Sequence, residues 1–187
     1  ANGQSILLVP RGTYDLKLLY KGFDLVTTHV RLGLLRKTEQ FQASLYDLQV
    51  VVKDKFGLPP GITITPVATS KEMEQPTKIL PTVIEPGTYR FSNLPEAQYT
   101  IQISYKTFLD ELTVRVPDVG ESVTMEFSPM FQLTATVFDS RGSTLSNIPL
   151  EITRSGTSVK NTTDMNGMAS FFIPVGKYVV QASSDGI

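Results

Sequence analysis

Apolar and polar residues alternate along most of this chain. Leu48, Val50 and Val52 are separated by Gln49, Val51 and Lys53; Leu133, Ala135 and Val137 are separated by Thr134, Thr136 and Phe138. A period of two sends one set of side chains to a buried face and the other outward, so both stretches predict β-strands. Each strand meets an Asp-x-x-Gly turn, Asp54 to Gly57 and Asp139 to Gly142, where Asp bonds nearby backbone and Gly accepts a positive φ. A second strand is predicted at 62–67 and again at 148–153. Short apolar strands follow at 5–9, 89–94 and 169–173. Alternation resumes at Tyr14, Leu16, Leu18 and Tyr20, at Tyr99, Ile101, Ile103 and Tyr105, and at Tyr178, Val180 and Ala182. Two further strands are predicted around Thr28, Val30 and Leu32 (matched by Leu112, Val114 and Val116) and around Phe41, Ala43 and Leu45 (matched by Val123, Met125 and Phe127). Residues 34–42 are a weak helical candidate, and their place in the pattern favours loop and strand.

The pattern repeats. Pro10-x-Gly12-x-Tyr14 recurs as Pro95-x-Ala97-x-Tyr99 and as Pro174-x-Gly176-x-Tyr178, in steps of 85 (95 − 10) and 79 (174 − 95) residues. Asp54 and Asp139 keep the step of 85 (139 − 54). Self-similarity at a fixed period reads as tandem modules. About seven strands per module at short spacing suggest an Ig-like antiparallel β-sandwich. The expected division is the C-terminal part of one module at 1–46, a complete module at 47–131 and the N-terminal part of a third at 132–187. Residues 2–23 correspond to 166–187, so a head-to-tail strand exchange between copies would duplicate 22 positions (23 − 2 + 1). A window on a longer array is therefore expected in preference to a strand-exchanging subunit. Ala97 stands where the other two copies have Gly, so this position does not demand a positive φ.

Composition narrows the function classes. The 187 residues are 41% hydrophobic with a net charge of −1, enough apolar content for packed cores and no basic footprint for nucleic acid. Residues 1–46 carry six basic and three acidic side chains, 47–131 seven and eleven, and 132–187 four and four, which reads as solvated surface. The absence of Cys excludes disulfides and thiolate metal sites. The run Ile6-Leu7-Leu8-Val9 is too short for a membrane span or a signal-peptide core.

The turn at Asp139 to Gly142, the Asp164-Met165-Asn166-Gly167 stretch and Phe172-Ile173-Pro174-Val175-Gly176-Lys177-Tyr178 together resemble the carboxypeptidase regulatory-like, or transthyretin-like, β-sandwich family. The resemblance covers nearly all of the chain. It implies a seven-stranded Ig-like module, usually extracellular or lumenal, often in tandem on surface proteins or appended to enzymes. It implies no catalytic residue and no cofactor.

Candidate chemistry is sparse. His29 is the single histidine and faces outward with Thr27 and Arg31, which makes neither a metal site nor a catalytic triad. Asp164-x-Asn166-Gly167 lacks the remaining ligands of a calcium loop and reads as a hairpin turn. Asp110 and Glu111 alternate faces and do not form an acid/base pair. No Lys–Asn–acid set repeats, so an isopeptide crosslink at Lys53 is not expected. Asn161-Thr162-Thr163 is an N-glycosylation sequon, conditional on secretion. The least similar parts of the repeats are the polar connections at 70–76, with Lys71, Glu72 and Glu74, and at 155–164, with Thr157, Ser158 and Lys160. Variable loops on a fixed scaffold are candidate binding sites. The scaffold-turn residues are Pro10, Gly12, Tyr14, Pro95, Tyr99, Pro174, Gly176 and Tyr178.

The expected function is non-enzymatic: a structural protein of the cell surface or extracellular space, with tandem sandwiches forming a stalk, filament or surface-layer segment. Its partners would be neighbouring copies of the module. The alternatives are an adhesion module binding carbohydrate or protein through those loops, and a non-catalytic accessory region of a larger secreted hydrolase.

Overall fold

The computed structural model describes residues 6–33 and 38–183. They form fourteen strands, with no helix among the described residues. β1 (Gly12–Tyr20) and β2 (Phe23–Leu32) make an antiparallel hairpin. Seven strands follow: β3 (Leu45–Lys53), β4 (Val67–Thr69), β5 (Thr82–Glu85), β6 (Thr88–Pro95), β7 (Ala97–Tyr105), β8 (Phe108–Val116) and β9 (Ser122–Glu126). They stack as a four-stranded sheet in the order β5-β6-β3-β9 and a three-stranded sheet in the order β4-β7-β8. This middle sandwich confirms the all-β fold class. Its pairings are antiparallel except for β3 with β9, which run parallel from Gln49↔Ser122 to Lys53↔Glu126.

The alternation set out above determines which residues fill the sandwich. Leu48, Val50 and Val52 of β3 face Tyr99, Ile101 and Ile103 of β7, and all six are essentially inaccessible to water. Val114 and Val116 from β8 and Met125 from β9 close the sides. Burial of apolar area on this scale is the main driving force for the fold.

The last five strands are β10 (Met130–Thr136), β11 (Pro149–Arg154), β12 (Thr157–Thr162), β13 (Met168–Pro174) and β14 (Val179–Ala182). β10 pairs with β13, and β11 lies between β12 and β14. A smaller core of Leu150, Ile152, Ala169, Phe171 and Ile173 fills the space between them.

Five expectations are corrected. Residues 6–9 are not a strand, and Ile6, Leu7, Leu8 and Val9 are exposed. Their counterpart β6 pairs with β3, and among the described residues the hairpin has no such neighbour to complete a ladder. Residues 41–44 are also irregular, for the same reason, because their counterpart β9 depends on β3. The strand placed at 62–67 begins only at Val67; Pro66 has no N–H to give a ladder. β5, bounded by Pro81 and Pro86, was not anticipated, because prolines at both ends disguise a short edge strand. The polar stretch 155–164 is largely strand β12, since Ser155 and Gly156 both take positive φ (49° and 83°) and make a two-residue hairpin turn onto β11. The 34–37 part of the helical candidate lies outside the described residues.

The Asp-x-x-Gly turns form as expected. Asp54 Oδ1 accepts from the N–H groups of Phe56 and Leu58, and Asp139 Oδ1 from those of Arg141 and Ser143. Asp164 repeats the arrangement with Asn166 and Met168, so the stretch that superficially matched a calcium loop is a hydrogen-bonded turn.

Candidate functional site

The Pro-x-x-x-Tyr spacing has one cause in all three copies. The hydroxyl of Tyr14 donates to the Pro10 carbonyl at 2.7 Å, Tyr99 to Pro95 at 2.8 Å and Tyr178 to Pro174 at 2.8 Å. Each ring folds back over its own turn. Gly12 and Gly176 are not in the left-handed region, in keeping with Ala97 at the same place.

Two of these tyrosines also face a neighbouring unit. Phe23, at the start of β2, lies 5.8 Å from the ring of Tyr99 and belongs to the middle core. Phe56, in the turn after β3, lies 6.1 Å from Tyr178 in an edge-to-face contact. The tyrosine turn of the following unit thus seats an aromatic ring from the preceding one at both joints.

The first joint is built by the β1–β2 turn, Tyr20-Lys21-Gly22-Phe23. Gly22 lends its carbonyl to the Gln75 N–H at 3.2 Å, and a Cβ on Gly22 would lie 2.3 Å from the Gln75 carbonyl oxygen. The Lys21 ammonium donates to the Ser92 carbonyl, and burial there pulls its pKa below the usual lysine value. Lys17 bridges Glu74 at 2.5 Å and Asp24 at 3.3 Å. The Glu74 hydrogen bond is the main reason that its ammonium titrates above the ordinary range.

The second joint carries the equivalent turn, Tyr105-Lys106-Thr107-Phe108, at an offset of 85 (105 − 20). Phe131, at the start of β10, packs 5.5 Å from Phe108 and 6.2 Å from Tyr105, with the Lys106 ammonium 5.3 Å above its ring. Across the same joint Arg154, at the end of β11, reaches Asp54 at 2.5 Å. The Asp54 side chain has 0% exposure and the Arg154 side chain 10%. The guanidinium lies between Phe56 (5.8 Å) and Tyr178 (5.5 Å). Burial raises the Tyr178 pKa, while its hydrogen bond with Arg154 opposes the rise. A crevice of about 690 Å³ runs along this joint past Gly61, Arg154 and Gly176. A Cβ on Gly61 would fall 2.1 Å from the Val175 carbonyl oxygen, and one on Gly176 would fall 2.8 Å from Arg154.

The candidate loop residues divide into two groups. Glu74 is engaged at the first joint. Glu72 accepts from the Gln98 N–H at 2.9 Å and lies 3.6 Å from Arg115. Lys71 is exposed, and between these polar residues Met73 plugs the core. Thr157, Ser158 and Lys160 are exposed on strand β12 rather than on a loop, with Lys160 3.7 Å from Glu151. The structure does not bring the two groups together. Asn161 donates through Nδ2 to the Ser170 carbonyl, and the sequon's Thr163 is buried with its hydroxyl bonded to Leu145. His29 is exposed beside Asp15. Among the described residues no group of three His, Asp or Glu side chains could hold a metal ion.

The recurrence of the tyrosine turns marks them as scaffold, and the short Phe131-Gln132-Leu133 connection predicts a stiff junction; which side chains meet there is not apparent from either. The sequence carries a signal for them: Tyr-Lys-x-Phe occurs twice, 85 positions apart (105 − 20).

No protein-family model matches the chain, and no curated protein matches its sequence. Three solved structures share partial likeness. The Bacillus anthracis TIE protein is 20% identical over 84% of this chain and 32% of its own, with a TM-score of 0.33. A streptococcal ancillary pilin is 14% identical over 94% and 67% of the two chains, with a TM-score of 0.32. BcpA, the major pilin subunit of Bacillus cereus, is 11% identical over 94% and 74%, with a TM-score of 0.28. The chain thus spans about a third of the TIE protein. Overlays this loose assign no family, and the carboxypeptidase regulatory-like resemblance rests on its sequence motifs alone.

Proposed function

We propose that this chain is a load-bearing, non-enzymatic segment of a cell-surface or extracellular protein. Its units would be sandwich modules divided near 1–46, 47–131 and 132–187, and their partners would be neighbouring modules. The supporting observation is the parallel pairing of β3 with β9. The chain enters the middle sandwich through β3 and leaves it through β9. Tension along the chain therefore pulls these two strands in opposite directions along their shared ladder. The five residue pairs from Gln49↔Ser122 to Lys53↔Glu126 resist together, in shear, instead of opening one at a time. The joints support the same reading, because backbone, aromatic and charged contacts leave little free linker between units.

Single-molecule pulling tests this reading, and the absence of Cys allows handles to be placed at will. Handles at Leu45 and Ser128 load the β3–β9 ladder in shear. Handles at the paired positions Gln49 and Ser122 unzip it. The expected result is a much higher unfolding force in shear than in unzipping. Equal, low forces in both directions would overturn the load-bearing role.

A further inference from the structure

The second joint contains an ion pair unlike the others among the described residues. The surface pairs have side chains at least 32% exposed on both partners, for example Lys17 with Asp24 and Arg90 with Asp47. Asp54 and Arg154 are withdrawn from water and belong to different units. Four features fix their geometry. Asp54 Oδ1 is held by the N–H groups of Phe56 and Leu58, which directs Oδ2 at the joint. The Phe56 and Tyr178 rings confine the guanidinium. Gly61 and Gly176 leave the space that lets the two surfaces approach. Ser128 Oγ accepts from the Lys55 N–H at 2.6 Å and ties the connecting segment to the same turn.

We propose that Asp54 and Arg154 form an orientational lock, which holds the β10–β14 unit at one angle on the middle sandwich and turns a short connection into a stiff joint. The proposal rests on the load-bearing reading and adds the element that sets stiffness. A buried ion pair contributes little net stability compared with apolar packing, because desolvation offsets the attraction. Its effect is directional. Any rotation that withdraws Arg154 leaves the Asp54 carboxylate buried and unpaired, a state of high energy. Aromatic contacts such as Phe108 with Phe131 tolerate sliding and do not impose that penalty. Among the described residues the first joint has no such pair; its Lys17–Glu74 bridge is exposed.

Spin labels at Thr113→Cys on β8 and Ser158→Cys on β12, both exposed, report the angle as a distance distribution. The parent is expected to give one narrow distance. Arg154→Met, which keeps the aliphatic stem between the rings, should lose that single narrow peak. Asp54→Asn should do the same; it keeps the oxygen that accepts from Phe56 and Leu58 and so carries the test should Arg154→Met fail to fold. Arg154→Lys should restore part of the narrow peak, because it returns the charge without the planar stack. Folded variants that keep the parent's narrow distance would overturn the lock and leave the shear-resistant middle sandwich standing. A broad distribution in the parent would overturn the lock together with any stiff joint. Neither outcome depends on the pulling result.

Discussion

Phe23 and Tyr99 belong to different sheets, yet their rings meet 5.8 Å apart at an angle of 59° inside one core. Phe23 sits at the start of the hairpin's second strand, and Tyr99 closes the turn that opens β7. The middle sandwich is therefore completed by a residue from the unit before it. Phe23→Ala should destabilise the middle sandwich by about 3–5 kcal/mol, the usual cost of deleting a buried Phe side chain. A fragment of residues 45–128 should fold cooperatively as a β protein and unfold at lower denaturant than the same strands in the whole chain. Urea titrations of the chain, the variant and the fragment check both statements. An unfolded fragment would contradict the claim that β3–β9 supply most of this core themselves.

The hydroxyl of Tyr99 is buried against the Pro95 carbonyl. Tyr99→Phe leaves that carbonyl without its partner and should cost about 1–2 kcal/mol. Tyr14→Phe should cost less, because the equivalent bond at Pro10 is solvent-exposed and water replaces it. Thermal unfolding of the two variants beside the parent gives the comparison.

Burial holds the Tyr99 phenol well above its ordinary pKa, and burial also raises Tyr89. A group with a raised folded pKa contributes fully below its unfolded value, about 10 for Tyr. That contribution is lost as the pH climbs from there through the folded value, because the unfolded chain releases the proton first. Stability should therefore fall above about pH 10, and Tyr99→Phe should fall less steeply over that range. Denaturant midpoints measured between neutral and alkaline pH test the sign.

Gly61 and Gly22 serve their joints by what they lack. A methyl group on Gly61 would fall 2.1 Å from the Val175 carbonyl oxygen, and one on Gly22 would fall 2.3 Å from that of Gln75. Both neighbours are backbone and cannot turn aside. Gly61→Ala should leave the middle sandwich folded and displace the β10–β14 unit. Chemical shifts should change at Val175, Gly176 and Arg154 and stay unchanged at Val50 and Ile101. Changes confined to the 57–61 loop would show that the two surfaces do not touch.

The sandwich was legible in the sequence because alternation is a local signal. Leu48, Val50 and Val52 announced their strand and their buried face together. Residues 6–9 and 41–44 carry comparable apolar character and form no strand. Pairing, not propensity, decides such segments, and among the described residues no strand pairs with them. The β12 strand was hidden by its polar side chains, which suit an edge; its turn residues Ser155 and Gly156 were the better guide. The tyrosine turns were recognised as scaffold because they recur. Their second role was not legible, because Phe56 and Tyr178 lie 122 positions apart (178 − 56) and only folding brings them together. The Arg154–Asp54 contact is hidden for the same reason.

In the proposed segment, the middle sandwich and the β10–β14 unit move as one stiff body. Backbone 15N relaxation of the whole chain tests it most directly. β3–β9 and β10–β14 should report one common rotational correlation time, that of the whole chain. Separate, shorter correlation times for the two sets of strands would contradict it.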